Sequence, residues 1–202
     1  MANWCTTYYV ILTKYNYKGL ARIREHLRKG RAVIRYKDTY IWIDTIGEIV
    51  NESAGQYFLF KVDTKWNPCH EYMDKLIAHY NDVHYIYTAE EFGMGLYMTN
   101  DIHQAFVTES WCIDACIEPY VLNKRPDLQF IDKCNTYLDE TDGGQFLQRL
   151  LHTDERDTDA LLKKLKQWNE QIQAEFPIHE VYVYAHHIDY DYDHPFSNIN
   201  IW

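Results

Sequence analysis

The run Ala185-His186-His187-Ile188-Asp189-Tyr190-Asp191-Tyr192-Asp193-His194 concentrates residue types that could do chemistry. Imidazole nitrogens and carboxylate oxygens together are ordinary ligands of divalent metals. Read as one extended strand, the segment throws His187, Asp189, Asp191 and Asp193 to the same side. Neighbours at i and i+2 stand roughly 6.5–7 Å apart along such a backbone, so two can share an ion and further ligands must come from elsewhere. His187, Asp189 and Asp191 are therefore the candidate metal ligands, and metal-assisted hydrolysis of a phosphate or nucleotide is the reaction they would serve. The plainer reading of the same residues is a charged edge strand whose carboxylates discourage edge-to-edge association.

The cysteines offer less. Cys112 and Cys116 form a C-x-x-x-C pair with His103 upstream, but structural zinc sites more often use C-x-x-C pairs and four ligands. Cys69 opens a helix, where backbone N–H groups and the helix dipole would favour a thiolate beside His70. It also lies on that helix's apolar stripe, and packing is the commoner fate of a cysteine. Walker, dinucleotide-binding, H-E-x-x-H and G-x-S-x-G motifs are all absent from the sequence.

The elements that must carry these residues follow from periodicity. Trp4 to Thr13 reads as a buried strand, and Asn16 caps a helix with Leu20, Ile23 and Leu27 on one face, ending at Gly30. Arg31 to Tyr36 and Thr39 to Asp44 read as short strands, and Tyr57 to Val62 as another. Asn67 and Pro68 then have the types expected of a helix cap and first helical residue. Cys69, Tyr72, Met73, Leu76, Ile77 and Tyr80 follow at helical spacing. Val83 to Ala89 alternates as a strand, and Gly93 and Gly95 bracket a turn into Leu96-Tyr97-Met98.

Further on, residues 110–118 read as a short helix stopped by Pro119, Leu128 to Ile131 as a strand, and Thr141-Asp142-Gly143-Gly144 as a break before a short helix through Phe146, Leu147, Leu150 and Leu151. A helix at 159–175 carries Leu161, Leu162, Leu165, Trp168, Ile172 and Phe176 on one side. Glu180 to Ile188 is a strand, with a last one at Ile199 to Trp202. Strand, helix, strand repeated twice predicts an α+β fold: a ferredoxin-like antiparallel sheet with helices on one face. Residues 1–100 would form that domain and 101–202 a second α+β half packed on it.

Three strings tie the first half to a family: Asn3-Trp4-Cys5, Phe60-Lys61-Val62-Asp63-Thr64-Lys65-Trp66-Asn67-Pro68, and Glu90-Glu91-Phe92-Gly93-Met94-Gly95. Together they resemble the Api-ninety-two-like proteins of phages, plasmids and genomic islands. Cys69 stands where that pattern has a second proline, and Leu96 and Tyr97 replace the end of its glycine string. The resemblance implies a ferredoxin-like domain and a mobile-element origin, and names no catalyst. Motif strings in such a sandwich often meet at one end of the sheet, which makes Trp4, Trp66, Glu90 and Glu91 the candidate binding residues. Core packing of the tryptophans is the competing reading.

Composition bounds the function. A chain of 202 residues with 47% hydrophobic and 16% aromatic content folds rather than stays disordered. An odd five cysteines suit reduced thiols better than a disulfide framework. No apolar run reaches a membrane span, and the basic start of a signal peptide is missing, so a cytoplasmic protein is expected. Residues 1–50 hold nine Lys/Arg against four acids, a net +5, which leaves −15 for the rest of a chain whose total is −10. That balance disfavours nucleic acid as the partner of the whole chain.

The resulting expectation is a non-enzymatic cytoplasmic binding protein of mobile-element origin, without a cofactor, engaging a host or phage protein. An acidic surface that mimics nucleic acid would serve such binding. The alternative is the metal-dependent hydrolase built on the C-terminal His/Asp strand.

Overall fold

Alternation in the first strand organises everything near it. Cys5, Thr7, Tyr9 and Ile11 are buried on one side, while Trp4 and Tyr8 are exposed on the other. The structure, a computed structural model, describes residues 4–30, 32–91, 95–131 and 136–196. The chain is α+β, and its described residues fall into two compact units. One comprises the residues up to Val107 together with those from Asp189, and the other comprises Thr108–Ile188.

In the first unit β1 (Trp4–Thr13), α1 (Tyr17–Lys29), β2 (Val33–Tyr36), β3 (Thr39–Ile46), β4 (Val50–Asn51) and β5 (Gln56–Lys65) precede α2 (His70–Ile77), β6 (Val83–Glu91) and β7 (Leu96–Thr99). The second unit holds β8 (Trp111–Ile117), α3 (Pro119–Lys124), β9 (Thr136–Leu138), α4 (Glu140–Leu151), α5 (Thr158–Glu175) and β10 (Val181–His187). The chain then returns to the first unit with β11 (Asp189–Tyr190). The boundary thus follows Val107 rather than residue 100, and the last described residues rejoin the first unit because β11 completes its sheet.

That sheet runs β11-β7-β6-β1-β5-β3-β2, with β4 also on β5. All pairs are antiparallel except β11 on β7, which makes it a mixed sheet. Register sets the faces: Tyr9 lies opposite both Phe60 and Tyr87, and Ile11 opposite Phe58 and Tyr85. These residues pack with Leu20, Ile23 and Leu27 of α1 and Met73 of α2 in one core. Asn16 caps α1 as its type predicts, its side chain accepting from the Gly19 N–H at 2.9 Å.

Helix α2 starts later than Asn67-Pro68 suggests. Trp66 takes φ +71°, and the Asn67 N–H turns back onto the Lys65 carbonyl at 2.9 Å. The Thr64 hydroxyl donates to the Asn67 carbonyl at 2.6 Å, so Asn67 closes a turn and Cys69 becomes the N-cap. Burial pushes the Cys69 thiol above its ordinary value, against the thiolate that a helix start would favour.

In the second unit residues 111–117 are a strand, not a helix. Trp111, Ile113 and Ala115 face a core shared with Leu147, Leu165, Ile172, Val181 and Val183. That sheet has the order β10-β8-β9. The strand expected at Leu128–Ile131 does not form: Pro126–Leu128 is a 3-10 turn and residues 129–131 follow it without strand structure. The glycine pair Gly143-Gly144 continues α4 instead of breaking it, because Asp139 caps the helix by accepting from the Asp142 N–H at 2.8 Å. The strand expected at Ile199–Trp202 and the turn glycine Gly93 lie outside the described residues. No helix among the described residues is long and apolar enough to cross a membrane.

Candidate functional site

The second face of the first unit's sheet carries the residues that β1 turns away from the core. Trp4 lies opposite Lys65, Thr6 opposite Asp63 and Glu90, and Tyr8 opposite Lys61 and Thr88. Trp42 of β3 pairs with Asp63 and therefore shares this face. Its ring meets Trp4 edge-on at 4.6 Å and Tyr40 at 5.7 Å. Trp4 is 45% exposed, Tyr8 44%, Tyr40 47% and Leu59, opposite Val10, 56%, so several large side chains from three strands are left open to solvent together.

Polar groups frame them. A bulge at Asp44 shifts the β3 register, and the Asp44 carboxylate pairs with Lys61 Nζ at 2.9 Å. That hydrogen bond lowers the Asp44 pKa and raises that of Lys61. Lys61 also lies 5.5 Å over the Tyr8 ring, and Thr6 donates to Asp63 at 2.7 Å. Burial raises the Tyr8 phenol, with nearby Glu90 adding to it.

The other half of the same face is covered. Leu12, Ile86 and Phe196 form a small cluster with Val10, Tyr57, Phe106 and Val107 against it. Asp101 holds the covering loop, accepting from the N–H groups of Ala105 at 3.0 Å, Phe106 at 2.7 Å and Val107 at 2.9 Å.

Of the predicted binding residues, Trp4 is on this face and Glu90 joins it by register, half-buried. Trp66 is 46% exposed in the turn directly after Lys65, the partner of Trp4. Glu91 goes the other way: the strand alternation puts it on the helix side, 4% exposed. There it contributes to pushing the Cys5 thiol up to about 11, a shift caused first by burial. Tyr8, Tyr40 and Trp42 were not singled out by sequence reasoning. Alternation along β1 and β3 was the available signal, but it does not say which face stays open.

The predicted metal ligands separate. His187 ends β10, with Nε2 2.7 Å from a Glu140 carboxylate oxygen. Asp189 is exposed on β11, in the other unit. The strand does not persist to Asp191, which is buried in a turn and accepts from the Tyr87 hydroxyl at 2.7 Å. The same carboxylate takes the N–H groups of Asp193 at 3.0 Å and His194 at 3.2 Å, and His194 Nδ1 lies 3.1 Å from it. Among the described residues no group of three or more His, Cys, Asp or Glu side chains could hold a metal ion. Cys112 and Cys116 share a strand face opposite His186 and Tyr182, and at about 13 Å apart along the strand they cannot share one ion.

His70 packs beside this turn, its ring 4.2 Å from Tyr87 and 5.4 Å from His194. Burial pushes its pKa down to about 4 from 6.5, outweighing the pull of Asp191. The unfolded chain therefore takes up this proton first, so stability is complete above pH 6.5 and falls as the pH drops towards 4. Wild type should lose about 3 kcal/mol more than His70→Phe over that range, measured by urea denaturation at each pH. Equal slopes for the two proteins would show that His70 is not held neutral by burial.

Set against known proteins, the chain matches no family model, no curated protein and no solved structure.

Proposed function

We propose that this chain is a protein-binding module that docks its partner on the open half of the sheet's second face. The observation that supports it is the joint exposure of Trp4, Tyr8, Tyr40 and Leu59 around the half-buried Trp42. Contiguous apolar surface with a polar frame marks interaction sites, and Trp and Tyr dominate binding hot spots. Electrostatics favour a protein over nucleic acid: Lys61 is neutralised by Asp44, Asp63 and Glu90 lie on the same face, and the chain carries −10 overall.

The antiparallel order β6-β1-β5-β3, with α1 before β3 and α2 before β6, supports reading the first unit as a ferredoxin-like core extended by β2, β7 and β11. Kinship with the Api-ninety-two-like proteins, and a host or phage protein as partner, belong to the same proposal. The metal-dependent hydrolase has no convergent donor set among the described residues to rest on.

A photo-crosslinking amino acid at Tyr40, in cells that naturally carry the gene, should capture one discrete protein. The same probe at Ile178, 88% exposed in the second unit, should not. Adding Trp4→Ala should weaken capture by about 30-fold or more, the scale of one hot-spot residue. Adducts to nucleic acid, or equal capture at Tyr40 and Ile178, would overturn the reading.

A further inference from the structure

Strand β7 pairs with β6 only from Glu91↔Leu96 to Thr88↔Thr99. Beyond that point the Asn100 side chain replaces the missing strand: its Oδ1 accepts from the Tyr87 N–H at 2.8 Å, and its Nδ2 donates to the Tyr85 carbonyl at 3.2 Å. The Asn100 carbonyl in turn accepts from the Phe196 N–H at 2.9 Å, drawing the chain around His194 and Phe196 alongside this edge. Between that segment and α2 lies a cavity of about 370 Å³, lined by Asp74, Ile77, His84, Tyr85, His194 and Phe196 among others. Its volume falls in the range of small-molecule sites.

The lining has one electrostatic sign. Asp74 accepts from the Tyr85 hydroxyl at 2.7 Å through one oxygen, and among the described residues no lysine or arginine lines the cavity. Apart from the Asn100 amide, already bonded to β6, the remaining polar side chains of the lining are imidazoles. Burial lowers the His84 pKa and so favours its neutral, accepting form. His194 is oriented by its 3.1 Å contact with Asp191. Ile77 and Phe196 supply the apolar wall, with Phe196 edge-on to His84 at 6.3 Å. The Asp74 carboxylate, the His84 acceptor and a short hydrocarbon wall complement a positive head on an alkyl body and repel an anion.

We propose that this cavity binds a small organic cation of the primary-ammonium class, with its charged head on the Asp74 carboxylate and its alkyl body against Ile77 and Phe196.

The test is a titration of the full chain with butylamine and, separately, with butyrate, followed by amide NMR shifts. Butylamine should produce saturable shifts centred on Asp74, His84, Tyr85 and His194, and butyrate none. Asp74→Asn keeps an acceptor for the Tyr85 hydroxyl and should weaken butylamine at least about tenfold, the scale expected on losing a charged partner. Binding of butyrate as tight as that of butylamine, absence of saturation at millimolar amine, or unchanged affinity in Asp74→Asn would each overturn the assignment. Should Asp74→Asn fail to fold, the butylamine–butyrate comparison on the wild-type chain decides.

Discussion

Asp101→Ala is expected to cost about 2–4 kcal/mol and to bare the covered half of the sheet's second face, because three N–H groups lose their acceptor together. Asp101 is completely buried, and its two oxygens hold Ala105, Phe106 and Val107 at 2.7–3.0 Å. Its own N–H donates to the Thr99 hydroxyl at 3.1 Å, so the residue is pinned from the β7 side as well. Alanine supplies no acceptor, and the loop can recover hydrogen bonds only by lifting towards water. Phe106 and Val107 would then leave Val10, Leu12, Tyr57 and Ile86 uncovered. Urea denaturation gives the cost, and faster hydrogen exchange at residues 105–107 locates it. Asp101→Asn, with one carbonyl oxygen left to accept, should fall between alanine and wild type. A loss below about 1 kcal/mol in the alanine variant would mean that the loop is held by its apolar contacts alone.

The second large effect inverts a general rule. Alanine in place of glycine inside a helix normally stabilises by about 1 kcal/mol. At Gly143 in α4, an added Cβ would stand 2.3 Å from Cδ1 and 2.4 Å from Cγ of Trp111. Trp111 is 1% exposed, edge-on to His187 at 4.7 Å and packed in the core of the second unit. The Trp111 Cβ would stand only 2.8 Å away as well, so relief requires the root of the side chain to shift, and Gly143→Ala should destabilise by about 3 kcal/mol, the upper end of overpacking costs. Gly144 is the internal control: nothing lies within 4 Å of a Cβ there, and Gly144→Ala should stabilise by about 0.5–1 kcal/mol. Thermal unfolding of the two variants should shift in opposite directions. Shifts of the same sign would remove the close approach of Trp111 to the helix backbone as the reason for Gly143.

The same glycine pair shows where sequence reading stops. Thr141-Asp142-Gly143-Gly144 has the composition of a break, and nothing local distinguishes a helix that needs a glycine from a loop that contains one. The distinguishing partner, Trp111, is about thirty residues away and on another element. The helix expected at 110–118 fails for a related reason, since Trp, Cys, Ile and Ala suit a short buried helix or strand equally, and 111–117 is a strand. Pairing with β10 and β9 settles it.

Local chemistry announced much of the first unit. The Asn16 cap, the stripe of α2 and the alternation of β1, β5 and β6 each depend on residues within a few positions of one another. Register puts Trp4 and Glu90 on the open face, and the same alternation that places Glu90 there sends Glu91 to the core. What the linear pattern could not hold was the choice of neighbours. That Asp191 would leave its expected strand for Tyr87, 104 positions away, depends on β11 joining β7. That Asn100 would stand in for a missing strand, and that one half of a sheet face would be covered while the other stayed open, are properties of the assembled sheet. Hydrogen-bond geometry and burial select among partners that periodicity leaves equivalent, and both act only once distant segments have met.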